Sequence, residues 1–90
     1  MSEEAKPAIT IEYCVPCGYA PRATWLALEL LTPFSETISG LTLVPGGHGI
    51  FDVRVDNETV FSNKGAGRFP EVAELVDSIS KYTGPVEYRS

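Results

Sequence analysis

The sequence predicts an α/β (α+β) fold, a two-layer sandwich with a mixed four-stranded sheet and both helices on one face. The first observation is that short segments alternate apolar and polar residues, as half-buried strands do. The second is that two longer segments place apolar residues on one side, as helices do. The third is the order strand-helix-strand-strand-strand-helix. A right-handed crossover makes the first two strands parallel, and a hairpin then adds two antiparallel strands.

The first predicted element is a strand that follows a polar tail. Residues 1–7 end at a proline and are expected to form a flexible N-terminal tail. The segment 9–13 alternates apolar and polar residues, which predicts a half-buried strand. Ninety residues are enough for one domain, which we place at residues 8–83, with a C-terminal tail at residues 84–90.

The second predicted element is a helix from Arg22 to about Phe34, with Pro21 in its first turn, where the missing N–H costs nothing. Strong helix formers favour this assignment. Its main apolar face is expected to comprise Ala23, Ala27, Leu30, Leu31 and Phe34. Trp25 and Leu26 are expected to flank the polar stripe, where they form a candidate partner surface.

The rest of the chain predicts three strands and a second helix. In chain order the segments before this helix are a strand at 41–44, a loop at 45–49, a strand at 50–55, a hairpin turn at Asp56-Asn57, a strand at 58–62 and a glycine-containing loop at 63–67. The helix is predicted to open with Phe69 and to have Pro70 in its first turn. Its apolar stripe is formed by Val72, Leu75, Val76 and Ile79.

Composition and charge exclude several classes of function. Twelve acidic and seven basic residues give a net charge of −5, and the basic residues are scattered. A nucleic-acid binder needs a basic stripe for the phosphates, so nucleic acid is not an expected partner. No run approaches the roughly 18 apolar residues of a membrane helix, and the acidic N-terminus lacks the apolar core of a secretory signal. We therefore expect a cytoplasmic protein with no membrane partner.

The residues best suited to chemistry are the two cysteines of the run Cys14-Val15-Pro16-Cys17, between the first strand and the first helix. In a reducing compartment such a pair is more often a redox pair or half of a metal site than a structural bridge. The positive end of a helix stabilises a thiolate and can lower the pKa of a cysteine from about 8.5 toward neutrality. The second sulfur can then resolve a mixed disulfide within the chain.

Neighbouring residues are expected to shape this site. Pro16 stiffens the loop between the cysteines, and Gly18 and Tyr19 lead from it into the helix. His48, in a glycine-rich loop, is expected to be solvent-exposed, although a role in tuning a thiolate stays open. Whether the bond before Pro45 is cis stays open, although most X-Pro bonds are trans.

Other interpretations of the cysteine pair stay open at this point. The pair could be half of a zinc site, but structural zinc takes four protein ligands and His48 is the only other good soft ligand. Two chains of a homodimer could complete such a site, whereas no metal site is expected in a single chain. The cysteines could also simply pack. The functional alternative to a thiol oxidoreductase is a non-enzymatic module for protein interaction, redox sensing or metal binding.

Several motifs together resemble one known family over roughly residues 8 to 82. They are Cys14-Val15-Pro16-Cys17-Gly18-Tyr19 with Pro21-Arg22, Val44-Pro45-Gly46-Gly47, Phe51-Asp52-Val53-Arg54-Val55-Asp56, Phe61-Ser62-Asn63-Lys64 and Gly67-Arg68-Phe69-Pro70. They occur in the order found in selenoprotein W and its selenium-free bacterial relatives, the Rdx (SelT/SelW/SelH) family. Several motifs in register make this resemblance specific.

The resemblance implies a thioredoxin-like fold without the helix between the second and third strands. It also implies a redox role in cell redox homeostasis, with glutathione or protein thiols as partners and glutathione as a co-substrate rather than a bound cofactor. The selenocysteine of the family corresponds to Cys17, which favours Cys17 as the attacking residue. Thioredoxin logic favours Cys14 instead, so both are candidate catalytic residues.

Overall fold

A computed structural model of the chain describes residues 6–86. Their backbone forms four strands and three helices. In chain order these are β1 (Ala8–Cys14), α1 (Ala20–Phe34), β2 (Gly40–Gly46), β3 (Phe51–Val55), β4 (Glu58–Ser62), α2 (Asn63–Ala66) and α3 (Val72–Thr83). The predicted order is confirmed, with the single helical turn α2 added in the predicted glycine loop. Of the predicted tails, residues 1–5 and 87–90 lie outside the described residues, and Val86 packs against the core.

The strands form one mixed sheet in the order β2-β1-β3-β4. β1 is parallel to β2, with Ile9 beside Leu41, because α1 supplies the crossover between them. β3 is antiparallel to both β1 and β4, and its register with β4 shifts between Val53 and Arg54. The predicted mixed sheet, with a parallel pair and an antiparallel hairpin, is therefore confirmed.

β2 extends beyond the predicted strand at both ends, because Pro45 and Gly46 continue it instead of starting a loop. β2 lies at the edge of the sheet, where the missing N–H of a proline need not interrupt the hydrogen bonds between strands. The bond before Pro45 is trans, since none of the described peptide bonds is cis.

The hydrophobic core lies between one face of the sheet and the helices α1 and α3. Ile11 and Phe51 from the sheet, Leu30 from α1 and Ile79 from α3 are all completely buried in it. The opposite face of the sheet is more polar, and there the Arg54 guanidinium lies 3.2 Å from the Glu12 carboxylate, with both side chains partly exposed. This confirms the predicted half-buried strands, with the helices on one face of the sheet.

The buried face of α1 differs from the predicted one. It is formed by Ala23, Leu26, Ala27, Leu30 and Phe34, a spacing of three and four residues that keeps side chains on one stripe. Leu26 is only 2% exposed, whereas Leu31 is 39% exposed. The assignment of Leu26 to a partner surface is therefore wrong, because the stripe that faces the sheet is rotated toward it and away from Leu31.

The start of α3 also differs from the prediction. Pro70 lies before the helix, and Glu71 is its N-cap residue. Glu71 and Glu74 form a capping box, in which each side chain accepts a hydrogen bond from the backbone N–H of the other. This cap, rather than the proline, fixes the first turn at Val72. The buried stripe of Val72, Leu75, Val76 and Ile79 is confirmed.

None of the described helices is both long enough and apolar enough to cross a membrane.

Candidate functional site at the cysteine pair

The cysteine pair lies where β1 ends and the chain turns toward α1. Cys14 is the last residue of β1 and Cys17 lies in the turn, and their sulfurs form a disulfide with the Cα atoms 5.3 Å apart. Cys14 is completely buried, whereas Cys17 is exposed. The two sulfur atoms of the pair therefore differ in their access to a substrate.

Backbone hydrogen bonds hold the turn against the end of β2 and the loop after it. The Cys14 N–H donates to the Ile50 carbonyl (2.9 Å), and the Val15 N–H donates to the Gly46 carbonyl (3.0 Å). Within the turn, the Gly18 N–H donates to the Val15 carbonyl (3.0 Å). Gly18 has a φ of +79°, which a residue with a side chain rarely adopts, so its role as a site-shaping residue has a backbone cause.

Asn63 is a residue near the site whose role sequence reasoning missed. Its Oδ1 accepts the Phe51 N–H at 2.9 Å, and its Nδ2 donates to the Gly49 carbonyl at 3.0 Å. Ile50, which lies between these two residues, provides the carbonyl for Cys14. Asn63 therefore fixes the segment that holds Cys14. The available signal was its place directly after the last predicted strand, in a motif of the resembled family.

Tyr19 packs in an aromatic cluster beneath the turn. Its ring lies edge-on to Phe69 and Phe51, with centroids 4.9 Å and 6.2 Å away, and those two rings are 5.2 Å apart. The Arg22 guanidinium lies 4.2 Å from the centroid of the Phe69 ring. The cluster joins the start of α1 to the segment before α3 through Tyr19, while Phe69 is a second residue that sequence reasoning missed.

The N-terminus of α1 faces the region of the turn without a capping side chain. Tyr19 makes no side-chain cap, and the first turn of the helix contains no acidic residue. The Tyr19 N–H bonds the Cys14 carbonyl at 3.3 Å, and Pro21 has no N–H. The positive end of the α1 dipole is therefore not neutralised within the first turn.

The other predicted site residues fall into two groups. Pro16, Trp25 and His48 are exposed, and Trp25 is 51% exposed beside the turn, as expected of a partner surface. Leu26 belongs to the core, as described above. His48 has a φ of +58° and lies in the turn before β3. Among residues 6–86, no three His, Cys, Asp or Glu side chains come together as a set that could hold a metal ion.

The chain is similar to proteins of one family over most of its length. The sequence profile of the Rdx family matches residues 8–81. Migration and invasion enhancer 1 from Mus musculus is 35% identical over 83 residues, which cover 88% of this chain and 69% of that protein. The protein of the same name from Bos taurus is 35% identical over 75 residues, which cover 81% of this chain but only 62% of the bovine protein.

Two solved structures share the fold. A selenoprotein W-related protein from Vibrio cholerae superimposes with a TM-score of 0.82 and 34% identity, covering 84% of this chain and 95% of that one. A protein from Bordetella parapertussis gives a TM-score of 0.82 and 33% identity, covering 84% and 96%. The thioredoxin-like α/β fold implied by the motifs is therefore confirmed, and the chain belongs to the Rdx family.

Proposed function

We propose that this chain is a cytoplasmic thiol–disulfide redox protein that exchanges its Cys14–Cys17 disulfide with protein thiols or glutathione. The observation that carries the proposal is the pairing of an exposed Cys17 with a buried Cys14 at a strand-to-helix junction. Exchange requires one sulfur that a substrate can reach and a second that stays close to it. Membership of a family named for redox chemistry supports the same assignment.

The reaction starts with the reduced protein. The Cys17 thiolate attacks one sulfur of a substrate disulfide, so that the substrate S–S bond breaks, a mixed disulfide forms and one substrate thiolate leaves. The Cys14 thiolate then attacks the Cys17 sulfur, which forms the Cys14–Cys17 disulfide and releases the second substrate thiolate. Two electrons pass to the substrate, and the two leaving thiolates take up protons from solvent. A dithiol or two glutathione molecules reverse the sequence.

The proposed roles of the two cysteines follow from their exposure. A substrate sulfur must approach the attacking sulfur in line with the disulfide bond, which the exposed Cys17 permits and the buried Cys14 does not. The uncapped N-terminus of α1, which begins at Ala20, favours a negative charge on a nearby sulfur. Cys17 is therefore the attacking residue, and Cys14 is the resolving residue.

Substitution of each cysteine by serine tests this assignment. We expect Cys14→Ser to retain a thiolate that reacts with iodoacetamide at lower pH than an unperturbed thiol, and to accumulate a mixed disulfide with glutathione. We expect Cys17→Ser to do neither. The reverse result would make Cys14 the attacking residue.

The reduction potential and a zinc assay of the reduced protein test the function itself. A reversible disulfide with a potential near that of cytosolic glutathione, about −220 to −320 mV, supports redox exchange. Stoichiometric zinc, or a pair that never forms a disulfide at such potentials, would instead favour a metal-binding module.

A further inference from the structure

Arg22 is a cation held in a fixed orientation beside the redox pair. The central carbon of its guanidinium lies 4.2 Å from the centroid of the Phe69 ring, so the ring covers one face of the guanidinium. The N–H donors lie on its edge and point in the plane, where they match the two oxygens of a carboxylate. Within residues 6–86 neither an acidic side chain nor any other hydrogen-bond acceptor pairs with Arg22. Its donors are therefore available to a ligand.

Two depressions meet at Arg22 and Trp25. The first begins beside Cys17, since it is lined by Gly18 and Pro21 as well as by Arg22 and Trp25. The second has a volume of about 430 Å³ and lies between Arg22 and Trp25 on one side and residues 69–73 on the other. Because they share Arg22 and Trp25, the two depressions together extend from Gly18, the residue after the exposed Cys17, toward the start of α3, and we call them the α1 groove.

The charge of the α1 groove favours an acidic ligand. Of the side chains that line it, only Glu71 is acidic, and it lies in the second depression, at the start of α3. The unneutralised N-terminus of α1 adds partial positive charge at the same end. The depression beside Gly18 is therefore lined by one cation, Arg22, and by no acidic residue, in a chain whose net charge is −5.

Trp25, which lines the α1 groove, is one of several exposed apolar residues in the turn and in α1. Trp25 and Val15 are each 51% exposed, and Leu28, one turn further along α1, is 66% exposed. Exposed apolar residues grouped around a reactive residue are typical of a surface that contacts a polypeptide. Glutathione has carboxylates but no apolar side chain, so it would gain little from covering these residues.

We propose that the α1 groove docks an extended peptide segment of a protein disulfide substrate, which places an acidic side chain on Arg22 and an apolar side chain on Trp25 next to its exchanging cysteine. This inference rests on the proposed redox function and names its substrate class as protein rather than glutathione. Arg22 and Trp25 act as docking residues that set the choice of substrate, and the electron transfer itself stays with Cys17 and Cys14.

The test uses the reduced protein and a set of 2-thiopyridyl mixed disulfides, which share one uncharged leaving group that is followed by absorbance. Two peptides carry a leucine beside the cysteine and differ only in Glu or Gln a few residues away, and glutathione provides the third disulfide. We expect the Glu peptide to react about threefold to fivefold faster than the Gln peptide, the effect of one partly exposed ion pair.

The variants separate the two contacts. Arg22→Gln is expected to abolish the preference for the Glu peptide, whereas Lys81→Gln, which removes the same charge from the last turn of α3, is expected to retain it. Trp25→Ala is expected to slow both peptides severalfold and to slow the glutathione disulfide less.

Each contrary result has a distinct meaning. An unchanged preference in Arg22→Gln overturns the inference, as does a glutathione disulfide that reacts as fast as the Glu peptide and depends equally on Trp25. A concentration-dependent dimer that Trp25→Ala dissociates would show that a second copy covers the groove, and it would overturn the inference too. If no disulfide reacts faster than with Cys17→Ser, the proposed function fails, and the inference fails with it.

Discussion

Cys14 and Cys17 carry the same side chain, and only their positions in the fold make them different. Cys14 ends a central strand, and its backbone N–H bonds Ile50, so its sulfur is held in place and excluded from solvent. Cys17 lies in a turn that Gly18 closes with a positive φ. The order of the cysteines in the motif does not determine which one is exposed, whereas the end of β1 and the turn after it do.

Asn63 is expected to affect the rate at which Cys14 resolves a mixed disulfide on Cys17. Asn63→Ala removes both hydrogen bonds to the segment around Ile50, so we expect a loss of about 1–3 kcal/mol in the free energy of unfolding. Because the partner of the Cys14 N–H becomes mobile, we also expect Cys14 to attack Cys17 more slowly. The lifetime of the mixed disulfide, measured by quenched-flow mass spectrometry, should rise severalfold.

Asn63→Asp serves as the matched control for this prediction. Its carboxylate still accepts the Phe51 N–H but has no donor for the Gly49 carbonyl, so its effect on the lifetime should be intermediate. The first step, the attack by Cys17, should keep its rate in both variants. A lower stability with an unchanged lifetime of the mixed disulfide would limit Asn63 to a structural role.

At the scale of elements, α1 has two apolar faces with different roles. One packs on the sheet through Leu26 and Leu30, and the other leaves Trp25 and Leu28 exposed. When a helix has apolar residues on more than one side, the sequence pattern does not determine which side faces the core. This ambiguity is the reason why Leu26 was placed on the wrong face.

Two leucines of α1 test this division. Leu26→Ala creates a cavity in the core and should cost about 2–5 kcal/mol in the free energy of unfolding. Leu28→Ala changes an exposed side chain and should stay within about 0.5 kcal/mol of the wild type. Urea denaturation measures both values. Equal losses in the two variants would mean that α1 packs in a different rotation.

The cap of α3 should make stability depend on pH. A hydrogen bond from Arg68 holds the pKa of the Glu74 carboxyl below its ordinary value, and the backbone N–H of Glu71 acts in the same direction. Since the pKa is lower in the folded protein, the stabilisation is present above the pKa of the unfolded chain and is lost as pH falls through the lowered value.

Glu74→Gln removes this contribution. The wild type should therefore be more stable than Glu74→Gln at pH 7, and the difference should vanish as the pH is lowered through the acidic range. Urea denaturation of both proteins from pH 7 downward measures it. A difference that stays constant with pH would show that Glu74 acts through packing or through its uncharged hydrogen bonds alone.

At the scale of the whole molecule, the sequence predicts what depends on local pattern and misses what depends on distant contacts. The alternation of β1 and β3 predicts their faces, and the spacing of the cysteines at a strand-to-helix junction predicts the site. Asn63 lies 12 residues from its partner Phe51, and no local periodicity marks that contact. The stacking of Arg22 on Phe69 likewise exists only once α1 and the segment before α3 meet.

The effect of the disulfide on global stability is the last consequence of this architecture. The bond joins residues only three positions apart, so the loop entropy it removes from the unfolded chain is small, about 2 kcal/mol at most in a chain-entropy model. If Cys17 is the attacking thiolate, as proposed, the uncapped N-terminus of α1 stabilises the reduced folded protein and offsets part of this difference.

We therefore expect the oxidised protein to be more stable than the reduced one by less than about 2 kcal/mol. This limit means that the reduction potentials of the pair in the folded protein and in the unfolded chain differ by under about 45 mV. The urea m-value should be the same in both states, because the core between the sheet and the helices is intact in each. Unfolding on reduction, or a loss of stability well above that limit, would show that the disulfide is needed to hold the fold together. A small difference lets the pair cycle between disulfide and dithiol, because the fold then favours neither redox state strongly enough to prevent exchange.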